Sequence, residues 1–438
     1  MSSRTLQEWL AFIERQHPKT IEMGLARVAR VRDSMDAAMG TSFAGRIITV
    51  GGTNGKGSTC AMLEAMLLAA GYRVGLYTSP HLLRYNERVR IDGREADDAS
   101  LAGAFERVEI ARQAAGSNGQ GSNGKGEALQ LTYFEYGTLA AWDLFARAGL
   151  DVMILEVGLG GRLDAVNIFD ADCSIVTSVD MDHMDYLGDT REKIGAEKAG
   201  IFRAGRPAIV ADPAPPASVI AHATAIGADL LLIGRDFGYQ GDRQQWQFWG
   251  RGGKRPSLAY PALRGANQLL NASAALAALD ILRDSLPVGM NQVRLGLASV
   301  ELPGRFQVLP GRPSVILDVA HNPHAAAVLA ENLSNMGFFP DTHAVFGMLG
   351  DKDIRGVCRA LRGRIDHWHV AGLPGPRGTS AAQLQQAIVD SDAGGTISLY
   401  DTPRAAYAAA RRQANDNDRI VAFGSFLTVA DVMQAAAH

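Results

Sequence analysis

Cysteine is scarce. Cys60, Cys173 and Cys358 are the only three in 438 residues, they lie far apart, and no CxxC pair occurs. That argues against a disulfide framework or a structural zinc site, and it fits a reducing compartment. Net charge is nearly absent too: 43 Lys and Arg against 46 Asp and Glu leave -3, scattered along the chain, so there is no basic footprint for nucleic acid. No apolar run approaches the ~20 residues of a membrane helix. The opening stretch, MSSRTLQEWLAFIERQHPKT, puts acids and polar groups where a signal peptide has its apolar core. The expectation is a cytoplasmic, monomeric protein with neither a nucleic-acid nor a membrane partner.

What is present is ordinary globular composition, 47% hydrophobic and 20% charged, over a length that suggests two or three domains. Short apolar runs alternate with helical periodicity. The runs RIITV, RVGLY, VMILEV, CSIVTSV, PAIVA and DLLLIG read as strands, as do SVILDV, HAVFGML, HWHVAGL, TISLY and RIVAFGS further on. Near-continuous apolar strands between amphipathic helices point to parallel sheets covered on both faces. GYQGDRQQWQFWGRGGKRPSLAYPAL, Gly-rich and aromatic with broken alternation, reads as a small β meander. Two turn signals in SVELPGRFQVLPGRPS place a boundary near Leu302. The fold class expected is α/β: a parallel-sheet domain over 1–302 carrying the meander, and a smaller Rossmann-like α/β domain over 303–438.

The tetrapeptide NGKG occurs twice. The first copy, in VGGTNGKGST (Val50–Thr59), follows a β-branched run and opens a helix ending near Gly71. A phosphate-binding loop needs that context. The strand delivers the chain, glycines let successive N–H groups turn toward an anion, and the helix N-terminus adds its dipole. Thr53, Asn54, Gly55, Lys56, Gly57 and Ser58 are therefore the nucleotide candidates. Lys56 would reach the β- and γ-phosphates, and Ser58 or Thr59 could hold Mg²⁺. The second copy, Asn123–Gly126, sits in the Gly/Ser/Asn tract Gly116–Gly126, with no strand before it and no Ser or Thr after the lysine. Its composition is that of a flexible linker.

Gly57 separates Lys56 from Ser58, a departure from the usual Walker spacing. GTNGKGS resembles the nucleotide loop of the folate branch of the Mur-ligase superfamily, which contains folylpolyglutamate synthases and bifunctional dihydrofolate synthase/folylpolyglutamate synthases. The resemblance extends over nearly the whole chain. HPKTIEMGLARV, TSPHL, LTYFE, LEVGLGGRLDAVN, DHMDYLG, EKAGIFR, RGANQ, PGRF, DVAHNP, FGMLGDKD and FGSF look like family blocks in family order.

Each block also has a reading of its own. Glu156 ends an apolar strand, where an NTPase keeps a metal-binding acid; otherwise it is a salt-bridged strand-end Glu. GLGGRLDA is too Gly-rich for an undirected helix start and suits close backbone approach to a ligand, with Arg162 and Asp164 placed to meet polar groups. His183, in an acid-rich turn, would on its own read as a surface or capping residue. By resemblance it is a ligand of a second Mg²⁺ shared with Glu156, although Mg²⁺ prefers oxygen. Resemblance likewise makes Ser79 a ligand of the first Mg²⁺, where the plain reading is a turn residue before Pro80. It makes Lys198 a lysine carbamylated by CO₂, an inversion of charge that suits a metal neighbourhood; the plain reading is a solvated helical lysine. It assigns Asn267, Arg305 and Asp318 to ATP, with Asn267 supplied by the first domain. His321, as a catalytic candidate, and Ser425 go to the amino-acid side, where loop and cap hydrogen bonding is an equal alternative. Thr20, Gly24, Leu25, Thr132, Phe134, Glu135, Leu163 and Ala165 fall in the blocks that hold the pterin. Phe134 could stack on a flat heterocycle for roughly 0.5–1.5 kcal/mol beyond burial, or simply pack in the core.

The implied activity is ATP-dependent amide ligation through an acyl phosphate, with ATP, two Mg²⁺ and room for a monovalent cation. The implied substrates are dihydropteroate, reduced folates and L-glutamate, met in an interdomain cleft. A monofunctional folylpolyglutamate synthase is the near alternative. A P-loop kinase or nucleotide switch shares the loop but leaves DVAHNP and FGSF unexplained.

Overall fold

The computed structural model describes residues 4–17, 22–39, 43–117, 129–242 and 244–437. They divide into two compact units: residues 1–179, 186–260 and 270–299 in the first, and 180–185, 261–269 and 300–438 in the second. The second unit thus takes in two segments that precede the boundary near Leu302.

The first unit is built on an eight-stranded sheet. Its strands are β1 (Arg46–Gly51), β2 (Val74–Tyr77), β3 (Val89–Ile91), β4 (Arg94–Glu95), β5 (Val152–Glu156), β6 (Cys173–Val176), β7 (Pro207–Val210) and β8 (Asp229–Leu232). Their order is β4-β3-β2-β5-β1-β6-β7-β8. From β2 to β8 every pairing is parallel, and β3–β4 add an antiparallel hairpin at one edge. From β1 the chain builds β2 and β5 on one side and β6 onward on the other. The β1/β6 border is therefore a switch point, where open α/β sheets gather ligands beyond the strand carboxyl ends. β1, β5 and β6 are buried almost throughout, which is why they appear in the sequence as unbroken apolar runs.

The helix Lys56–Ala69 follows β1 and packs against the helix Met290–Ser299. Gly296 makes that contact close: a Cβ there would lie 2.6 Å from the Met66 Cα and N. The expected meander is a three-stranded antiparallel sheet, β9 (Gly238–Gly241), β10 (Trp246–Gly250) and β11 (Gly253–Leu258). Of the Gly/Ser/Asn tract, only Gly116 and Ser117 are described, at the end of the helix Asp98–Ser117.

The second unit holds a six-stranded sheet of β12 (Gln307–Leu309), β13 (Ser314–Leu317), β14 (Thr342–Phe346), β15 (His367–Ala371), β16 (Thr396–Tyr400) and β17 (Arg419–Phe423), ordered β12-β13-β17-β14-β15-β16. Only β12 is antiparallel. Phe346, Trp368 and Phe423 meet in its core with ring centroids 5.0–6.2 Å apart. Each such ring contributes about 1.5–3 kcal/mol by burial. All eleven runs read as strands from the sequence are strands here; the β3–β4 hairpin and β12 were not foreseen.

Candidate active site

The loop after β1 has the form its sequence demands. Gly52 and Gly55 adopt φ of +142° and +91°, and Gly55 is the N-cap of the helix Lys56–Ala69. Neither could carry a side chain, because a Cβ on Gly52 would run into the Thr177 hydroxyl and one on Gly55 into the Asn271 amide. The end of β6 braces the loop across the switch point. Thr53 N donates to Ser178 O at 2.7 Å and Asn54 N to Ser178 Oγ at 3.0 Å. The Thr177 hydroxyl donates to Asn54 O at 2.7 Å. Two lysines converge underneath: Lys56 Nζ lies 3.1 Å from both Gly52 O and Thr53 O, and the buried Lys198 reaches Gly52 O at 2.9 Å. Ser58 is buried in the first turn of the same helix.

Beside this loop, Glu156 ends β5, in register with Val50, and accepts from Ser79 N at 3.0 Å. A carboxylate and serine hydroxyls are hard oxygen donors of the kind Mg²⁺ takes, so Ser58, Ser79 and Glu156 have the donor chemistry that such an ion needs. The helix Arg191–Ala199, capped by Thr190, carries Lys198.

The pterin-block residues group in the same unit. Gly24 N donates to Leu163 O at 3.4 Å, which brings the segment of Gly24 and Leu25 to the glycine-rich loop after β5. Phe134 is half-buried, lies against Gly158, and has its ring 5.8 Å from that of Tyr77. Thr132 and Glu135 form a capping box on the helix Tyr133–Ala148, and Arg27 Nε donates to Glu135 Oε2 at 2.9 Å. Asp164 is buried and accepts from Leu159 N at 2.8 Å and Val166 N at 3.0 Å. Burial pushes its carboxyl up to about 7 against the pull of those N–H groups. Ala165, also buried, starts the short 3₁₀ turn that Asp164 caps. Arg162 is largely exposed and donates to Glu197 Oε1 at 2.8 Å. Thr20 lies outside the described residues.

In the second unit the candidates stand at the carboxyl ends of β13 and β17. Asp318 accepts from Phe306 N at 2.9 Å and Ala320 N at 2.8 Å; burial keeps its carboxyl above the usual range although Arg305 acts the other way. The Arg305 guanidinium lies 5.0 Å over the Phe426 ring. Asn267, expected from the first domain, groups by its contacts with the second unit. Its segment is tied to the helix Pro323–Asn335 by Ala266 N, which donates to Asn332 Oδ1 at 2.8 Å. Ser425 is the buried N-cap of the helix Phe426–Ala436, its hydroxyl accepting from Leu427 N.

His321 and His183 both gather around a residue that sequence reasoning did not single out. Asp182 Oδ1 takes Lys352 Nζ at 2.6 Å and His183 N at 2.8 Å. Its Oδ2 takes Asn322 Nδ2 at 3.2 Å, with His321 Nε2 at 3.7 Å. Burial opposes the Asp182 charge, but His321, His183 and Lys352 around it hold the carboxyl far below its usual range. His183 has φ of +51°, and its Nε2 lies 3.2 Å from the Lys352 ammonium. Among the described residues, no three His, Cys, Asp or Glu side chains form a group able to hold a metal. A cation against the His183 ring does not suit a metal ligand.

Asp182 and Lys352 both lie in quoted blocks, DHMDYLG and FGMLGDKD, but nothing in a linear pattern pairs positions 170 apart. Thr177 and Ser178 were missed as well. Their signal was the TS that ends a strand run, legible only once β6 is known to neighbour β1.

Comparison with known proteins agrees with this layout. The Mur ligase middle domain matches residues 109–279, and the Mur ligase, glutamate ligase domain matches residues 304–426, which defines the class as a Mur ligase. The dihydrofolate synthase/folylpolyglutamate synthase of Escherichia coli is 44% identical over 98% of this chain and 95% of its own. The Haemophilus influenzae protein of the same name is 38% identical over 97% and 96%. The solved structure of E. coli FolC in complex with DHPP and ADP superposes with a TM-score of 0.90 at 44% identity, covering 99% of this chain and 98% of that one. A bifunctional folylpolyglutamate synthase/dihydrofolate synthase with Mn, AMPPNP and L-glutamate bound gives a TM-score of 0.87 at 43% identity, over 100% and 99%. The chain belongs to the dihydrofolate synthase/folylpolyglutamate synthase family, the folate branch of the Mur ligases.

Proposed function

We propose that the chain joins L-glutamate to dihydropteroate, giving dihydrofolate, and also adds γ-linked glutamates to reduced folates, using ATP for both. The observation that carries this is the convergence of Lys56 and Lys198 on the Gly52 carbonyl beneath a braced phosphate loop. It belongs to a chain 44% identical, over almost its whole length, to an enzyme named for both reactions.

The glycine loop, at the N-terminus of its helix, and the Lys56 ammonium receive the nucleotide phosphates. A substrate carboxylate attacks the γ-phosphorus, ADP leaves, and an acyl phosphate forms. The glutamate amine then attacks the acyl carbon and phosphate departs. The charges that accumulate are anionic, so preorganised positive groups are the main catalytic device. Ser58, Ser79 and Glu156 would hold Mg²⁺, which when bound screens the phosphate oxygens. Gly24, Leu25, Thr132, Phe134, Glu135, Leu163, Asp164 and Ala165 receive the pterin. Asn267, Arg305 and Asp318 serve ATP, and His321 and Ser425 serve glutamate. Lys198 is carbamylated in the working enzyme. A carbamate keeps one N–H on Nζ, so the bond to Gly52 O survives while a carboxylate is gained. A cytoplasmic location fits three free, buried cysteines.

The test supplies ATP, Mg²⁺ and L-glutamate and compares phosphate release with dihydropteroate and with a reduced folate. Release with both is expected. Release with the reduced folate alone would leave a monofunctional folylpolyglutamate synthase, and release with neither would remove the folate reading. For Lys198, labelled bicarbonate should give a carbamate carbon signal that is lost in Lys198→Ala.

A further inference from the structure

Asp182 and Lys352 have no part in the mechanism just given, and their pairing is costly to build. Asp182 and Lys352 are both nearly buried, with side chains 10% and 7% exposed. Removing two such charges from water roughly cancels their attraction, so a buried ion pair is a poor source of stability next to an apolar pair. The carboxylate nonetheless collects groups from three separate stretches of chain. They are His183 N and its own segment 180–185, His321 and Asn322 after β13, and Lys352 after β14. Two of those stretches leave the carboxyl ends of parallel strands, where α/β sheets place ligand-binding residues.

What the carboxylate fixes is geometry. His183 sits in the left-handed region, where a residue with a side chain is held only if its surroundings insist. The bond from its N–H to Asp182 Oδ1 supplies that insistence. The same oxygen holds Lys352 Nζ at 2.6 Å and so sets the ammonium 3.2 Å from His183 Nε2. Asn322 is committed twice: its Nδ2 donates to Asp182 while its Oδ1 caps the helix Pro323–Asn335. One carboxylate therefore ties the start of that helix, the His321 loop and the Lys352 loop into one arrangement.

We infer that Asp182 is a positioning residue for ligation, which fixes Lys352, His183 and the Asn322 helix start in one preset arrangement before the anionic substrates bind. The inference rests on the ligase reading above. Asp182→Asn keeps the shape and the acceptor oxygen but loses the charge, and Lys352→Gln removes the partner. The measurements are kcat and KM for ATP, dihydropteroate and glutamate separately, the Mg²⁺ concentration for half-maximal rate, and the midpoint of thermal unfolding. Each variant is expected to lose about 10–100-fold in kcat, as outer-sphere groups of a site commonly do. The KM for ATP should stay near the wild-type value, because the phosphate loop is untouched. The double variant should be no worse than the worse single one, since both remove one shared device, and Lys352→Arg should recover part of the rate. Wild-type kcat in both single variants, or losses that simply multiply in the double, would overturn the inference. So would a lowered unfolding midpoint with unchanged kcat per folded enzyme, which is the mark of a structural role alone. If Asp182→Asn does not fold, Lys352→Gln carries the same expected and overturning outcomes. Failure of the ligase reading would show differently, as wild-type enzyme that releases no phosphate on adding glutamate.

Discussion

Asp164 is an acid held against its nature. Its folded-state carboxyl is pushed up to about 7 by burial, while in the unfolded chain it titrates near about 4. Between those values the folded chain binds more protons than the unfolded one, so this group makes stability fall as pH rises through the window. Replacing it by Asn should flatten that fall. Urea midpoints of wild type and Asp164→Asn, measured across the window, should therefore differ in slope; parallel curves would refute the shift. At Lys56 the expected effect is on turnover. Lys56→Ala removes a preorganised positive group aimed at phosphate and should cost about 10²–10³-fold in kcat, with circular dichroism unchanged. An active Lys56→Ala enzyme would mean that the loop is not where the nucleotide is processed.

At the scale of elements, the nucleotide loop is only as good as the helix it starts. The helix Lys56–Ala69 lies against Met290–Ser299 at the distance Gly296 allows. Gly296→Val should overpack that contact and cost about 1–3 kcal/mol, read from denaturant midpoints at constant slope; an unchanged midpoint would show that the helices part without penalty. Elements of this kind were readable in advance for a definite reason. Buried parallel strands are apolar on both faces, so RIITV and VMILEV announce themselves, and a glycine loop between strand and helix has one familiar use. β3 and β4 gave no such notice, since VRI and RE are short and charged and pair only with each other and with β2. The family blocks located most candidate residues but not their partners. Glu156 with Ser79, and Gly24 with Leu163, become pairs only in the fold. Asn267 lies within the stretch that matches the middle domain, yet its segment groups with the second unit, because the hydrogen bond from its neighbour Ala266 to Asn332 joins positions 66 residues apart.

For the molecule as a whole, two units with separate cores are expected to unfold separately, as multidomain chains commonly do. Scanning calorimetry of Gly296→Val should show one transition lowered and the other unmoved; a single transition that shifts bodily would contradict this. The three cysteines noted at the outset offer a way to follow each unit without heat. Cys60 and Cys173 are buried in the first unit and Cys358 in the second, and burial raises all three thiols, Cys358 to about 12. A thiol that is both covered and protonated does not react, so the folded protein should be inert to a thiol reagent. Every labelling event then dates an opening of the unit that carries it. The native sequence thus comes with two reporter sites on one body and one on the other. Peptide-level labelling rates, taken with and without ATP, should separate them: nucleotide should slow Cys60, which lies in the helix that the phosphate loop begins.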